Sequence, residues 1–136
     1  MKFRLVESDN SSQEYEEFKN TLIDAYNELK HNPPMLIDGL NKDLSIEENS
    51  NSIKLTIGKA YRSQENYKTY GKVFYLPYIN EIHRRILALT KKWGGYTISK
   101  SNYNGGDFTG YYIKNSIDCY CYDYKEYSIF ELYKRG

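Results

Sequence analysis

Apolar positions recur at helical spacing in two stretches of this chain and alternate at strand spacing in several others. The clearest stretch is residues 78–98, YINEIHRRILALTKKWGGYTI, in which Ile79, Ile82, Ile86, Leu89 and Trp93 share one stripe at about 100° per residue. His83 and Thr90 lie at the margin of the stripe, and Arg84, Arg85, Ala88, Lys91 and Lys92 fall on the other side. The spacing predicts an amphipathic helix capped at its start by Asn80. Gly94 is placed to take the left-handed conformation that ends helices, with Lys91 and Lys92 complementing the last free carbonyls. Gly95 lets the backbone pass close to a neighbour as a strand opens at Tyr96.

The rest of the chain falls into shorter units. Residues 2–7, KFRLVE, read as a strand with Phe3 and Leu5 on one face. Ser11 and Glu14 form a capping box for a helix running to about residue 30, with Phe18, Leu22, Ala25 or Tyr26, and Leu29 as its apolar stripe. Glu14, Glu16, Glu17, Asp24 and Glu28 make the opposite face acidic. Pro33 and Pro34 stop the helix. An apolar patch follows at 35–40, then an acidic loop at 41–52. Ile53, Leu55 and Ile57 alternate with polar residues as a strand does. Residues 62–71 are polar and loop-like, and 72–76 form a short apolar segment. Pro77 then leads into the helix.

Beyond the double glycine, strands are expected at 96–100, 107–114 and 117–124, joined by SNYNGG and by Asn115-Ser116, both turn formers. The third strand sets Ile117, Cys119, Cys121 and Asp123 on one face and Asp118, Tyr120, Tyr122 and Tyr124 on the other. Residues 128–133 suit a last edge strand or a short helix. The expected fold is α+β, a mainly antiparallel sheet with two amphipathic helices on one face. We take 1–136 as a single domain, with a strand–helix extension at 1–40 and a βαβββ unit at 53–136. Within it, residues 53–124 have the layout of a ferredoxin-like half. Gly94, Gly95, Tyr96 and Thr97, followed by Gly105, Gly106 and Gly110, give a strand–helix–GGYT–turn–strand order that resembles small phage and plasmid α+β proteins. Sheet-mediated homo-oligomers are expected for that architecture.

Composition changes the picture in one respect. The chain carries 16 tyrosines and is rich in Asn, Lys and Ile. That mix suits an AT-rich genome such as that of a low-GC bacterium or its phages, and tyrosine suits adaptable contact surfaces. There is no apolar run near the roughly 20 residues of a membrane span, and the start lacks a secretory h-region, so a cytoplasmic setting is expected. Cys119 and Cys121 point to one face and make neither a bridge nor a zinc site.

Net charge is only +1, but it is segregated, with 5 Lys/Arg against 11 Asp/Glu in residues 1–53 and 10 against 2 in residues 54–100. The basic middle third either presents a local positive patch or is neutralised by the acidic first helix folding back on it. No catalytic constellation, phosphate loop or metal-ligand spacing is present, and no cofactor is implied. An aromatic–basic cluster is the strongest candidate site. Tyr61 and Tyr96 would stack on a ring, and Arg62, Arg84 and Lys91 would hold phosphates, with His83 beside them. The expectation is a non-enzymatic protein that sequesters a phosphate-bearing signal nucleotide in antagonism of host defence. The alternatives are a protein–protein inhibitor of a host defence nuclease, and a small phosphodiesterase using His83. Near-neutral charge makes duplex nucleic acid a poor partner.

Overall fold

The computed structural model describes residues 2–31, 44–58, 75–102, 106–124 and 127–135. The elements in chain order are α1 (Lys2–His31), β1 (Leu44–Glu48), β2 (Ser52–Gly58), α2 (Tyr75–Lys92), β3 (Tyr96–Asn102), β4 (Gly106–Ile113), β5 (Ile117–Asp123) and β6 (Tyr127–Lys134). The strands make one six-stranded sheet in the order β1-β2-β6-β5-β4-β3. Every neighbouring pair is antiparallel. This is the expected α+β class, and among the described residues no helix is long and apolar enough to cross a membrane.

Burial follows the register. Ile53, Leu55 and Ile57 of β2 are paired with Leu132, Phe130 and Ser128 of β6, and Cys119 and Cys121 of β5 lie beyond Leu132 and Phe130. All of these are at most 1% exposed and share one face of the sheet. From α1, Tyr15, Phe18, Leu22, Ala25 and Leu29 pack down on that face; from α2, Ile79, Ile82 and Ile86 do so, with Leu89 and Trp93 packed against the core from its margin. The alternation in β2 and the 3.6-residue stripes of the helices therefore meet in one core. Ala25 rather than Tyr26 is the fully buried member of the α1 stripe. The two cysteines are fully buried free thiols, and burial pushes the Cys121 thiol well up.

Four local expectations are corrected. Residues 2–7 are not a strand but the beginning of α1, which runs unbroken through Ser11. Extending a nucleated helix is far easier than starting one, so the capping box is carried inside it. The acidic loop at 41–52 contains β1, whose Leu44 and Ile46 sit opposite Ile57 and Leu55. Their alternation is masked in the sequence by the surrounding charges, and Lys19 of α1 compensates Glu48 at 2.8 Å. Residues 128–133 are neither helix nor edge: β6 runs between β2 and β5. Asn80 is not a cap, because α2 starts earlier, at Tyr75, with Pro77 in a first turn where its missing N–H is tolerated.

The end of α2 is as the sequence predicts. Gly94 has φ of 72°. Its N–H donates to the Lys91 carbonyl at 3.1 Å, and the Gly95 N–H donates to the Thr90 carbonyl at 2.7 Å. Those two bonds are the Schellman pattern. A Cβ on Gly95 would collide with the Tyr112 carbonyl of β4, so the closeness of this glycine to its neighbour fixes where β3 joins the sheet.

The helices are also tied to each other by charge. Glu17 accepts from Lys92 Nζ at 3.0 Å and from the Trp93 indole N–H at 3.0 Å. Glu28 accepts from Arg85 at 3.2 Å. The acidic face of α1 thus neutralises part of the basic helix. Desolvation pushes the Glu17 carboxyl up, but the bonds from Lys92 and Trp93 and the Lys92 charge outweigh it and hold the carboxyl below its ordinary range.

Two outcomes follow. Ile86→Ala should lower the unfolding free energy by about 2–5 kcal/mol, seen as a reduced urea midpoint at unchanged slope. A carboxyl with a depressed folded pKa stabilises above its unfolded pKa and loses that contribution as pH falls through the folded value. Glu17→Gln should therefore be less stable than wild type at neutral pH. The difference should close as pH drops below the ordinary glutamate range, which urea unfolding along a pH series would reveal.

Candidate functional site

The helices occupy one face of the sheet, and the other face is built from tyrosine. Antiparallel register puts Tyr96, Ile98 and Lys100 of β3 opposite Tyr112, Gly110 and Phe108 of β4. The next strands continue the face with Asp118, Tyr120 and Tyr122 of β5, then Tyr133, Glu131 and Ile129 of β6, and finally Ser52, Lys54 and Thr56 of β2. The rings touch in series. Tyr96 stacks on Tyr112 with centroids 5.1 Å apart and planes at 29°. Tyr112 meets Tyr120 edge-on at 6.0 Å, and Tyr120 reaches Tyr133 at 5.7 Å. Phe108 lies 6.0 Å from Tyr120 and 5.2 Å from Tyr122. Tyr124, stacked near Tyr122, continues to Tyr127 at 4.8 Å.

Two glycines allow the rings to lie over the backbone. A Cβ on Gly110 would collide with the Tyr112 hydroxyl, and one on Gly106 would run into the Tyr124 ring. Cross-strand aromatic pairs of this kind contribute roughly 0.2–1 kcal/mol each, so the network stiffens the sheet as well as shaping its surface. Tyr96, Ile98, Tyr127 and Tyr133 are between 38% and 56% exposed, and they are the exposed large hydrophobics of the described residues. All four are on this face.

Charge on the face is balanced. Lys54 stands between Glu47 of β1 and Glu131 of β6 in the register. Asp118 is paired with Arg135 and accepts from the Tyr120 hydroxyl at 3.3 Å. Burial, then the Asp118 carboxylate, pushes the Tyr112 and Tyr120 hydroxyls up. Burial, then Glu131, does the same for Tyr122 and Tyr133. The phenols therefore stay neutral, each able to donate and accept.

His83 lies on the other side, on the sheet-facing side of α2. Its Nδ1 is 2.7 Å from the Tyr111 hydroxyl and its Nε2 2.9 Å from Asp123 Oδ2. Ser128 donates to the second Asp123 oxygen at 2.7 Å, and the Phe130 ring lies 5.2 Å from the imidazole. Burial, then the neighbouring Cys121, keeps Tyr111 protonated. In the neutral imidazole, Tyr111 then donates to Nδ1 while the Nε2–H donates to Asp123. Both ring nitrogens are used, and the ends of the relay, Tyr111 and Ser128, are 4% and 0% exposed. The arrangement fastens α2 to β4, β5 and β6.

The other predicted contacts are spread apart. Arg84 is on the outer side of α2, 68% exposed in its side chain and bonded to Glu81. Lys91 is exposed on the same helix. Tyr96 is across the sheet on the tyrosine face. Tyr61 and Arg62 lie outside the described residues. Among the described residues, then, Arg84 and Lys91 do not meet Tyr96 in one pocket. Tyr96 and Tyr112 instead border a shallow cleft of about 210 Å³ with Lys114, Asp118 and Arg135. No group of three or more His, Cys, Asp or Glu side chains capable of holding a metal occurs among the described residues.

The sequence pattern marks Tyr120, Tyr122 and Tyr124 as one strip of the face and Tyr96 as a stacking residue. Tyr112 joins them through its hairpin pairings with Tyr96 and Asp118, and Tyr133 through the pairing of β6 with β5. No protein-family model matches this chain, and neither a curated protein nor a solved structure matches it.

The His83 relay can be tested separately from the face. Tyr111→Phe removes the hydrogen-bond partner of the half-buried Nδ1 and should cost about 0.5–1.5 kcal/mol of stability, the net range for one hydrogen bond. An unchanged urea midpoint would show that Nδ1 is satisfied by some other group.

Proposed function

We propose that this protein is a non-enzymatic binding module that engages a partner protein through the tyrosine face of its sheet, on which no helix lies among the described residues. The observation that carries the reading is the gathering of all four exposed large hydrophobics of the described residues on that face. Six strands at about 4.8 Å and seven residues at about 3.3 Å give a face of roughly 24 by 23 Å. The aromatic part spans four of those strands, β3 to β6, a footprint of the order of 400 Å², about half the roughly 800 Å² that each partner contributes to a standard interface. Tyrosine supplies large, stiff, amphipathic contacts, and balanced charge suits a protein better than a polyanion. The AT-rich type of composition suits a phage or mobile element. In that setting the partner is a host defence protein, and the module acts as an inhibitor by covering its working surface.

A second reading is favoured by the cleft at Tyr96 and Tyr112. A ring could stack there while Lys114 and Arg135 hold a phosphate-bearing group. This keeps the role of a nucleotide-sequestering protein, with a cation pair other than Arg84 and Lys91. Asp118 in the same cleft counts against an anion, which is why the protein partner is preferred.

A photo-cross-linking residue at Tyr133 in host cells should yield a discrete protein adduct. The same residue at Lys91, on the helical layer, should yield none. Equal labelling from both positions would remove the protein-binding reading. Calorimetric heat with cyclic dinucleotides that disappears in Lys114→Ala would replace it with the second.

A further inference from the structure

The two borders of the sheet differ in a way that identifies a second interaction surface. β1 is five residues long and is guarded. Glu47 and Glu48 put like charges on it, and α1 reaches it through the Lys19–Glu48 ion pair. β3 is seven residues long, pairs with β4 in unbroken register from Tyr96 to Asn102, and contains no proline. Its one charged residue is Lys100. Residues 96–101 are all exposed, on the helix side as well as the tyrosine side. Natural sheets protect long straight edges with charge, proline, bulges or a covering helix. Among the described residues β3 has none of these beyond Lys100.

We propose that β3 pairs with β3 of a second copy across a twofold axis, antiparallel, with Ile98 opposite Ile98. The sequence of the strand is self-complementary in that register. Ile98 meets its twin, Tyr96 faces Lys100 of the other copy in cation–π contact, and Thr97 faces Ser99. No like charges oppose each other. Centring on Ser99 would set Ile98 against Lys100, and centring on Lys100 would bring two ammonium groups together. The pairing uses main-chain groups on the free edge, as strand addition generally does. It continues the sheet across both copies and doubles the length of the tyrosine face. It rests on the edge alone, so it holds or fails independently of what the face binds.

Sedimentation velocity over a dilution series should show a concentration-dependent dimer. Ile98→Lys and Ile98→Glu, changes at an exposed position, should each weaken self-association at least about tenfold, and an equimolar mixture of the two should pair again. Tyr133→Lys, on the same face but three strands away, should leave the dimer intact. A wild-type monomer at every concentration would overturn the proposal and leave the edge to a strand from a different protein. So would a dimer that survives both Ile98 changes, or a mixture of them that fails to pair.

Discussion

The two described helices cannot cover a six-stranded sheet. Packed helices lie about 8–10 Å apart, so a pair shields roughly 20 Å of width, whereas six strands at about 4.8 Å span about 24 Å between the outermost backbones alone. α1 and α2 lie side by side and touch each other as well as the sheet, α1 meeting β1, β2 and β6, and α2 meeting β4 and the border strand β3 without covering it. Coverage runs out at one border, where Thr97, Ser99 and Ser101 of β3 are exposed on the helix side. Among the described residues no helix lies on the opposite face. The main surface features of the molecule follow from that shortfall.

On the covered side the core is apolar, with a few closed polar contacts. The Thr90 hydroxyl donates to the Ile86 carbonyl at 2.8 Å, and the His83 relay is satisfied at both ring nitrogens. On the uncovered side an antiparallel sheet would ordinarily be polar. Here tyrosine takes those positions, with a ring to pack against the neighbouring strand and a hydroxyl to remain wet. The result tolerates water while the molecule is alone and offers apolar area when a partner displaces that water. The same residues therefore serve the stability of the sheet and the proposed binding.

Much of the fold was legible from local pattern. The α2 stripe, the Gly94–Gly95 stop, the β2 alternation and the meander from β3 to β5 are each decided within about ten residues, where periodicity and turn chemistry act. Failures came where neighbours far apart in sequence decide. β1 is a strand because α1 and β2 receive Leu44 and Ile46, despite its acidic setting. β6 is central because β2 returns to pair with it, which no property of YSIFELYK announces. Residues 2–7 have alternating apolar residues but join a helix. The site followed the same division. His83 stands at the margin of the α2 stripe, where periodicity alone does not name its partners; Tyr111 and Asp123 hold its two ring nitrogens, and Ser128 holds Asp123 in turn. The alternation in β5 revealed three tyrosines. The remaining aromatics of the face come from β3, β4 and β6, whose order across the sheet is not written in any one segment.

The central claim is that one face of the sheet is open and tyrosine-lined. Hydroxyl-radical footprinting read by mass spectrometry tests it most directly, since tyrosine labelling reports solvent access ring by ring. Tyr96, Tyr127 and Tyr133 should label rapidly in the isolated protein, while Tyr15 and Tyr111, 3% and 4% exposed, should be protected. Protection of Tyr127 and Tyr133 to the level of Tyr111 in the monomeric protein would mean that another layer covers the face, and would contradict the account.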